Sequence, residues 1–307
     1  MLVPGGPAVT AALTASRLGA YARLAKLDVW DYYLALPLAW SLCGFTGTGV
    51  LLLFGVGTVL VIAAAVALDD VTGFRDGSDA ANYGPDAPAR RLARKPLLTG
   101  ELDERQALVF GWACAVLGGV CWLGLGLTAP LWTLVLLALL LVSAVQYSYG
   151  LKISYRGAQE VFLAGFGCGL VLCGVGLVRG APTALAVVEA VVFGLGPLLV
   201  GVYSNANDAA GDAAVGRRTV AVLAGPGGHR AFTAGLTALE IGVVVFAAGL
   251  GAGPWWFALA LLPAMACRVA QLRVGVGLGD ALRARRWGLL AHRVAVASLV
   301  VVNLVVL

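Results

Sequence analysis

The sequence predicts an all-α polytopic membrane protein with nine transmembrane helices, arranged as two pseudo-repeated four-helix units plus one further helix. Three observations predict this class. Hydrophobic residues form 60% of the 307-residue chain, charged residues form 12%, and the mean hydropathy is +0.91, whereas soluble domains carry roughly 25% charged residues. The apolar residues fall into stretches of about 20, the length that spans a bilayer. The basic residues collect on one side of the resulting topology.

The nine apolar stretches follow one another in pairs joined by short connections. Their approximate limits are 29–49, 50–68, 107–126, 129–148, 159–178, 183–203, 231–250, 254–273 and 289–307. Residues 1–28 are expected to form a lead that lies in the cytoplasm or at the membrane interface. Residues 29–307 are expected to form a single transmembrane domain.

The charge distribution gives the orientation. Twenty of the 21 Lys and Arg residues lie on one side of the predicted topology, and only Arg179 lies on the other. The positive-inside rule places those twenty in the cytoplasm. The net charge of +5 therefore reflects membrane topology rather than nucleic-acid binding. The bias towards Ala, Gly, Val, Leu and Arg is typical of a GC-rich bacterial genome, so we expect the bacterial cytoplasmic membrane, with the functional site facing the cytoplasm.

Two aspartate-rich stretches come just after the second and the sixth predicted span. They contain six of the sixteen acidic residues, namely Asp69, Asp70, Asp76, Asp79, Asp208 and Asp212. The spacing of Asn205, Asp208 and Asp212 is i, i+3, i+7, which places them on one face of a helix. Asp70 and Asp208 are separated by four spans with their loops. This repetition favours a duplicated unit whose two stretches converge on one site.

Clustered carboxylates at a membrane surface need a cation, and Mg²⁺ is a hard ion that binds carboxylate and phosphate oxygens. We therefore expect five aspartates to be both metal ligands and catalytic residues: Asp70, Asp76, Asp79, Asp208 and Asp212. The alternative interpretation is that these acids cap helices or lie in solvated loops. Two stretches at matched positions favour the metal site.

Basic residues in the same loops can bind the oxygens of a phosphate group. The candidates are Arg91, Arg94, Lys95, Lys152, Arg156, Arg217 and Arg218. Lys152 is the strongest, because it lies close to the membrane and beside tyrosines. We expect a diphosphate to be bound by Lys152, Arg156, Arg94, Lys95, Asn205, Tyr147 and Tyr149. Glu189 and Glu240 lie within predicted spans and are functional candidates by position, but the sequence suggests no partner for either.

These motifs resemble those of the UbiA superfamily of intramembrane prenyltransferases. The segment Asp208-x-x-x-Asp212 followed by Gly216-x-x-Thr219 is similar to the second aspartate motif of that family. Lys95-Pro96-Leu97-x-x-Gly100 resembles the family's Arg-Pro-Leu-x-x-Gly, and the segment 147–160 is similar to its helix 4–5 loop. The first motif departs from the usual Asn-Asp-x-x-Asp, because Asp69 replaces the Asn and Gly73 occupies the second acidic position. Asp76 is the residue expected to supply the missing ligand.

The resemblance implies a Mg²⁺-dependent enzyme that ionises an allylic prenyl diphosphate and transfers the prenyl group to an aromatic or quinone-precursor acceptor. It also implies an apolar cavity open to membrane lipid. Some members of the superfamily are terpene cyclases, in which a double bond of the prenyl chain captures the cation, and the altered first motif keeps this alternative open. A third reading, an ion-coupled transporter, would place its acids inside the bilayer rather than just past the span ends.

Overall fold

The computed structural model describes residues 17–27, 30–83 and 92–307. Across these residues the regular structure is helical, with no β-strand. The α-helices from residue 35 onward are α1 (Ala35–Leu42), α2 (Thr48–Asp76), α3 (Ser78–Tyr83), α4 (Glu104–Gly126), α5 (Leu131–Val145), α6 (Gln159–Arg179), α7 (Ala184–Ala214), α8 (Val220–Leu223), α9 (Gly225–Gly249), α10 (Phe257–Ala260), α11 (Leu262–Leu272) and α12 (Ala281–Val306). The protein is thus an all-helical polytopic membrane protein.

Six of these helices are long and apolar enough to cross a membrane: α2, α4, α6, α7, α9 and α12. They correspond to six of the nine predicted spans. The other three predicted spans are occupied by shorter helices. The apolar helix α5 has 15 residues. The stretch 29–49 contains a 3₁₀ turn and then α1, which ends before Gly44 and Phe45, two residues with positive φ. The stretch 254–273 is divided into α10 and α11.

The helices α2 and α7 are longer than a bilayer requires. They contain 29 and 31 residues, which at 1.5 Å per residue exceeds the ~30 Å hydrocarbon thickness. Asp69, Asp70 and Asp76 of the first stretch lie near the end of α2, Asp79 lies on the following short helix α3, and Asp208 and Asp212 lie near the end of α7. Gly73 and Gly77 are the two positions in the first stretch where the sequence suggests a break in the helix. Helix α2 runs through Gly73 without a break, continues to Asp76 and ends at Gly77, whose φ is 79°.

Small residues allow the helices to approach closely. The main packing partners are α2 with α4, α6 with α7, and α7 with α12. At the α6–α7 crossing, a Cβ atom on Gly194 would lie 2.4 Å from the Ala164 carbonyl oxygen, so only glycine fits there. Such crossings are typical of membrane helices, whose association depends on close packing. The resulting core is apolar and holds Phe54, Trp122 and Phe193 fully buried.

Candidate active site

The first aspartate stretch is held by cations from two neighbouring segments. The Asp70 carboxylate is 1% exposed, and its Oδ1 atom lies 2.7 Å from the Lys95 ammonium and 2.8 Å from the Lys26 ammonium. Lys95, which is 5% exposed, also lies 2.7 Å from the Asp79 carboxylate. A single ammonium group therefore joins two of the predicted ligands. The Oδ2 atom of Asp70 is buried without a hydrogen-bond partner, so it remains an available acceptor.

Gly73 gives Asp79 its position. A Cβ atom on Gly73 would lie 2.7 Å from the Asp79 carboxyl carbon, so the carboxylate packs directly against the backbone of α2. Burial raises the pKa of Asp79 to about 6; the Lys95 ammonium opposes this rise, and the Asp70 carboxylate adds to it. Burial alone would lower the pKa of Lys95, but Asp70 and Asp79 raise it above its usual value. Lys95 therefore stays protonated as the cationic partner of Asp70 and Asp79.

Arg217 connects the two aspartate stretches. Its guanidinium lies 3.4 Å from an oxygen of Asp69 in the first stretch and 3.9 Å from an oxygen of Asp212 in the second. The backbone N–H of Arg217 also donates to the Asp212 carbonyl at 2.8 Å. Asp212 is 3% exposed. The structure therefore brings the two stretches together, as the sequence predicts.

The loop 146–158 lies between the ends of α2 and α7. Thr72 donates its hydroxyl hydrogen to the Ser148 carbonyl at 2.9 Å, and the Arg218 N–H donates to the Tyr155 carbonyl at 3.2 Å. Tyr155 contributes most to the site. Its hydroxyl donates to Asp76, and its ring lies 4.5 Å from the Arg217 guanidinium and 4.9 Å from the Lys152 ammonium. Burial and the bond to Asp76 raise the pKa of Tyr155, so the phenol stays protonated.

Lys152 has a backbone conformation that is uncommon for a residue with a side chain. Its φ is 52°, in the left-handed region where non-glycine residues are few and cluster at functional sites. This conformation directs the ammonium over the Tyr155 ring and towards Asp76. Lys152, a predicted diphosphate-binding residue, therefore lies beside Tyr155 in the loop between α5 and α6.

Asn205 uses its side-chain amide within the protein. Its Oδ1 accepts from Gln159 at 2.9 Å, and its Nδ2 donates to Glu160 at 3.2 Å. Glu160 also accepts from the Val220 N–H at 3.0 Å. Asn205 therefore connects α7 to the start of α6 and helps to position the second stretch. Asp208 is half-buried and accepts from the Asn207 amide at 2.9 Å.

The remaining predicted site residues make other contacts. Tyr149 packs against Trp112 and lies 5.8 Å from the Arg75 guanidinium. The Tyr147 ring packs at a tilt against Phe162, with ring centroids 4.5 Å apart. Arg156 is exposed and Arg94 is half-buried. Arg91, a further phosphate candidate, lies outside the described residues. Lys26, Tyr155 and Glu160 were not predicted as site residues, and no local motif marks Lys26 or Tyr155, which reach the site only through the fold.

The two intramembrane glutamates have partners within the helix bundle. Glu189 accepts from the Asn303 amide at 2.9 Å, and that amide also donates to Ser41. Glu240 forms a buried ion pair with Arg268, whose guanidinium donates to both of its oxygens. Neither glutamate contacts the aspartate stretches in these hydrogen bonds.

The donor set fits Mg²⁺ in chemical type, since every candidate ligand is a carboxylate oxygen and the buried Asp70 Oδ2 is unpartnered. Among the described residues, however, no group of three or more Asp, Glu, His or Cys side chains is arranged to hold a metal ion. Lys95 and Arg217 instead occupy the spaces between the carboxylates.

An aromatic series leads from this site into the membrane core. Tyr147, Phe162 and Phe166 follow one another with ring centroids 4.5 Å and 5.2 Å apart. Tyr32 and Trp122 contact Phe166 from either side, at 5.5 Å and 6.4 Å. The site therefore combines anionic, cationic and aromatic groups at one end of the bundle.

Comparison with known proteins supplies the family. The UbiA prenyltransferase family model matches residues 29–292. A protoheme IX farnesyltransferase from Clavibacter michiganensis subsp. michiganensis is 35% identical over 96 residues, and a protein of the same description from Clavibacter sepedonicus matches equally. These alignments cover 31% of this chain and 30% of each relative, so the chain matches less than a third of their length.

Solved structures share the fold along nearly the whole chain. A UbiA homologue from Aeropyrum pernix K1 has a TM-score of 0.68 at 17% identity, covering 88% of this chain and 97% of that one. A UbiA homologue from Archaeoglobus fulgidus bound to DMAPP and Mg²⁺ has a TM-score of 0.66 at 14% identity, covering 91% and 98%. With the family model matching most of the sequence, the chain belongs to the UbiA prenyltransferase family.

Proposed function

We propose that the protein is a Mg²⁺-dependent prenyltransferase that ionises an allylic prenyl diphosphate and transfers the prenyl group to an aromatic or quinone-precursor acceptor. The observation that carries the proposal is the contact of Arg217 with both aspartate stretches. Family membership supports the reaction type. The substrate class is supported by analogy with the Archaeoglobus fulgidus homologue, which is described as bound to DMAPP or GPP with Mg²⁺.

In this proposal the metal ligands are drawn from Asp70, Asp76, Asp79, Asp208 and Asp212. Bound Mg²⁺ supplies positive charge that neutralises a diphosphate leaving group. The Lys95 ammonium lies between Asp70 and Asp79, so these two carboxylates would hold a metal ion only if the ammonium moved away from them. In that arrangement Lys95 would be free to contact diphosphate oxygens.

The cationic side chains bind and stabilise the leaving group. As the allylic C–O bond breaks, negative charge develops on the diphosphate, and fixed cations stabilise that charge. Lys152 and Arg217 are the best placed, since the Tyr155 ring contacts both of them. Arg94 and Arg156 approach from the flanking loops and are the outer diphosphate contacts.

The aromatic series stabilises the prenyl cation and excludes water. The π faces of Tyr147, Phe162 and Phe166 favour a cation held near them, and the apolar side chains around them disfavour the entry of water that would hydrolyse it. The acceptor carbon then forms a bond with the allylic carbon, and its C–H bond breaks as the proton passes to the released diphosphate. An aromatic acceptor fits this step because its ring carbons are nucleophilic.

The architecture that we infer has nine membrane crossings in two related four-helix units plus one, with α1, α5 and the α10–α11 pair as the three short crossings. Residues 29–307 form the domain, and residues 1–28 form a cytoplasmic or interfacial lead. The ends of α2 and α7 occupy equivalent positions in the two units, which supports a duplication. The basic loops favour a site that faces the cytoplasm of a bacterial cell.

A terpene cyclase is the second candidate, and Gly73 is the observation that favours it. The first motif lacks an acid there, and the aromatic series extends past Phe166 to Trp122, so aromatic side chains continue into the apolar core of the bundle. In a cyclase, a double bond of the substrate attacks the cation and no acceptor is needed.

The deciding experiment uses the full chain in nanodiscs with Mg²⁺ and C10 to C20 allylic diphosphates. Released diphosphate and hydrocarbon products are measured with and without phenolic or quinone-precursor acceptors. Diphosphate release that depends on an added acceptor supports the transferase. Cyclic hydrocarbon formed without an acceptor supports the cyclase. No release under either condition contradicts both.

A further inference from the structure

A groove with a charged end lies between α11 and α12, and none of its lining residues belongs to the aspartate stretches. Its volume is about 470 Å³. One stripe of α11 forms the first wall, and the first turns of α12 form the second. The lining residues are Ala266, Val269, Ala270, Arg273, Val274, Arg283 and Trp287. Most of the groove is therefore apolar, and both of its charged groups are arginines.

The arginines lie at the same end of the bundle as the aspartate stretches. Tyr203, two residues before Asn205 on α7, packs against Gly275, which follows Arg273 by two positions. Arg273 follows α11 directly and begins the π-helical turn Arg273–Gly277, and Arg283 lies in the first turn of α12. Trp287 lies one turn deeper than Arg283 on the same helix, at the depth where tryptophan typically meets the headgroup boundary.

Neither arginine side chain has an anionic partner among the described residues. Both are exposed, and none of the ion pairs in that part of the chain includes them. The nearby Asp280 uses its carboxylate to cap α12, accepting from the Arg283 backbone N–H at 2.9 Å. The stretch 273–286 contains four arginines and one aspartate, so its charge is strongly positive.

We propose that this groove binds an anionic phospholipid, with the phosphate at Arg273 and Arg283 and an acyl chain along Ala266, Val269 and Ala270. Charge complementarity selects the headgroup, because basic pockets between membrane helices bind acidic lipids. The apolar stripe favours a lipid over free phosphate, because an acyl chain can bury apolar surface against it and a soluble anion cannot.

A second groove in the same protein provides an internal comparison. It lies between α4 and α5, has a volume of about 530 Å³, and carries Trp112 and Gln146 near the corresponding end. It contains apolar side chains but no charged one. The second groove therefore has no charged side chain with which to prefer one lipid headgroup over another. The α11–α12 groove, with its two arginines, should prefer an anionic headgroup.

The test measures phosphatidylglycerol and phosphatidylcholine binding to the full chain in detergent by native mass spectrometry. Wild type should retain one phosphatidylglycerol in clear preference to phosphatidylcholine. The variant Arg273→Gln/Arg283→Gln should lose about 25-fold in phosphatidylglycerol affinity, on the basis of roughly fivefold per arginine. Arg105→Gln, which removes an exposed arginine beside another groove, should change nothing.

Further variants keep the test informative if the double variant folds poorly. Ala266→Trp fills the acyl part of the groove and keeps both arginines, so it should weaken phosphatidylglycerol binding although the charge is unchanged. Lys152→Gln, at the aspartate site, should leave the lipid affinity unaltered. Unchanged phosphatidylglycerol affinity in the double variant or in Ala266→Trp would overturn the proposal, and so would equal binding of glycerol phosphate or phosphatidylcholine.

Discussion

The guanidinium of Arg217 lies 3.4 Å from a carboxylate oxygen of Asp69, a residue 148 positions away in the sequence. Asp69 belongs to the end of α2, and Arg217 follows the end of α7. This contact, together with the approach of Arg217 to Asp212, makes the two aspartate stretches parts of one site. It also gives the site a fixed cation that does not depend on a bound metal.

Replacing Arg217 tests this arrangement. We expect Arg217→Gln to reduce prenyl diphosphate turnover by about 100-fold, because a fixed cation at developing charge contributes on that scale. Arg217→Lys should retain part of the activity, since it keeps the charge but not the forked contact with two carboxylates. Steady-state diphosphate release provides the measurement.

The adjacent arginine is a matched control. Arg218 is exposed, and its contact with Tyr155 uses only its backbone N–H, so Arg218→Gln should turn over normally. Equal losses in the two variants would mean that general loop charge, rather than the Arg217 bridge, supports the activity.

Lys95 is predicted to be a main stabilising cation of the site. Lys95→Gln leaves the buried Asp70 and Asp79 with less compensation, and breaking a buried ion pair costs about 3 kcal/mol of unfolding free energy. Lys26→Gln should cost less, since Lys26 is 19% exposed and contacts Asp70 more peripherally. Denaturant-induced unfolding in detergent measures both, and an equal or reversed order would contradict this assignment.

Gly73 is predicted to keep Asp79 in place. Alanine favours helix by about 1 kcal/mol over glycine, but its Cβ atom would lie 2.7 Å from the Asp79 carboxyl carbon. Gly73→Ala should therefore lower the apparent affinity of the enzyme for Mg²⁺, so that more Mg²⁺ is needed for half-maximal activity, while the helix content stays the same. Metal titrations of activity, with circular dichroism as the control, test this. A Gly73→Ala variant with wild-type Mg²⁺ affinity would show that Asp79 has room to move.

The pKa of Asp79 predicts a pH dependence. Its folded-state value of about 6 lies above the ordinary value of about 3.9. The folded protein thus binds more protons than the unfolded chain between these values, and the contribution of Asp79 to stability falls as pH rises through about 4 to 6. Mg²⁺ requires the ionised carboxylate, so half-saturation by Mg²⁺ should move to higher concentration below pH 6.

Asp79→Asn removes the titrating group and serves as the comparison for this pH effect. The variant should have a weaker Mg²⁺ affinity overall, with a flatter pH dependence between pH 5 and 7. A variant whose pH profile has the same shape as that of wild type would assign the titration to another residue.

The sequence predicts much of the fold because the bilayer imposes strong constraints. The long apolar stretches identify α2, α4, α6, α7, α9 and α12. The sequence is less informative at α1 and at α10–α11, where local backbone features divide an apolar run. These features are the positive φ of Gly44 and Phe45, and the interruption at Leu261 before Pro263. Hydrophobic composition alone does not predict where such a helix is interrupted.

The convergence of the aspartates could be predicted from their repeated position, but their partners could not. The sequence predicts that Lys26 lies at the membrane interface and that Tyr155 lies in a loop. It does not predict their contacts with the aspartates, because contacts between residues more than 40 positions apart depend on how the helices pack. Asp69 and Asp70 look like the end of a span because they are charged, although α2 continues to Asp76. Polarity marks the membrane boundary but does not end a helix.

The most direct test of the central claim is a double-mutant cycle on diphosphate release from a C15 allylic diphosphate, with Asp70→Asn, Asp212→Asn and the double variant. If the two stretches form one metal-dependent site, each single variant loses most activity, and the double variant loses little more, since residues that act as a unit are not additive. Asp103→Asn, which keeps its helix cap, should remain active. Normal release by either single variant at the site would contradict the account.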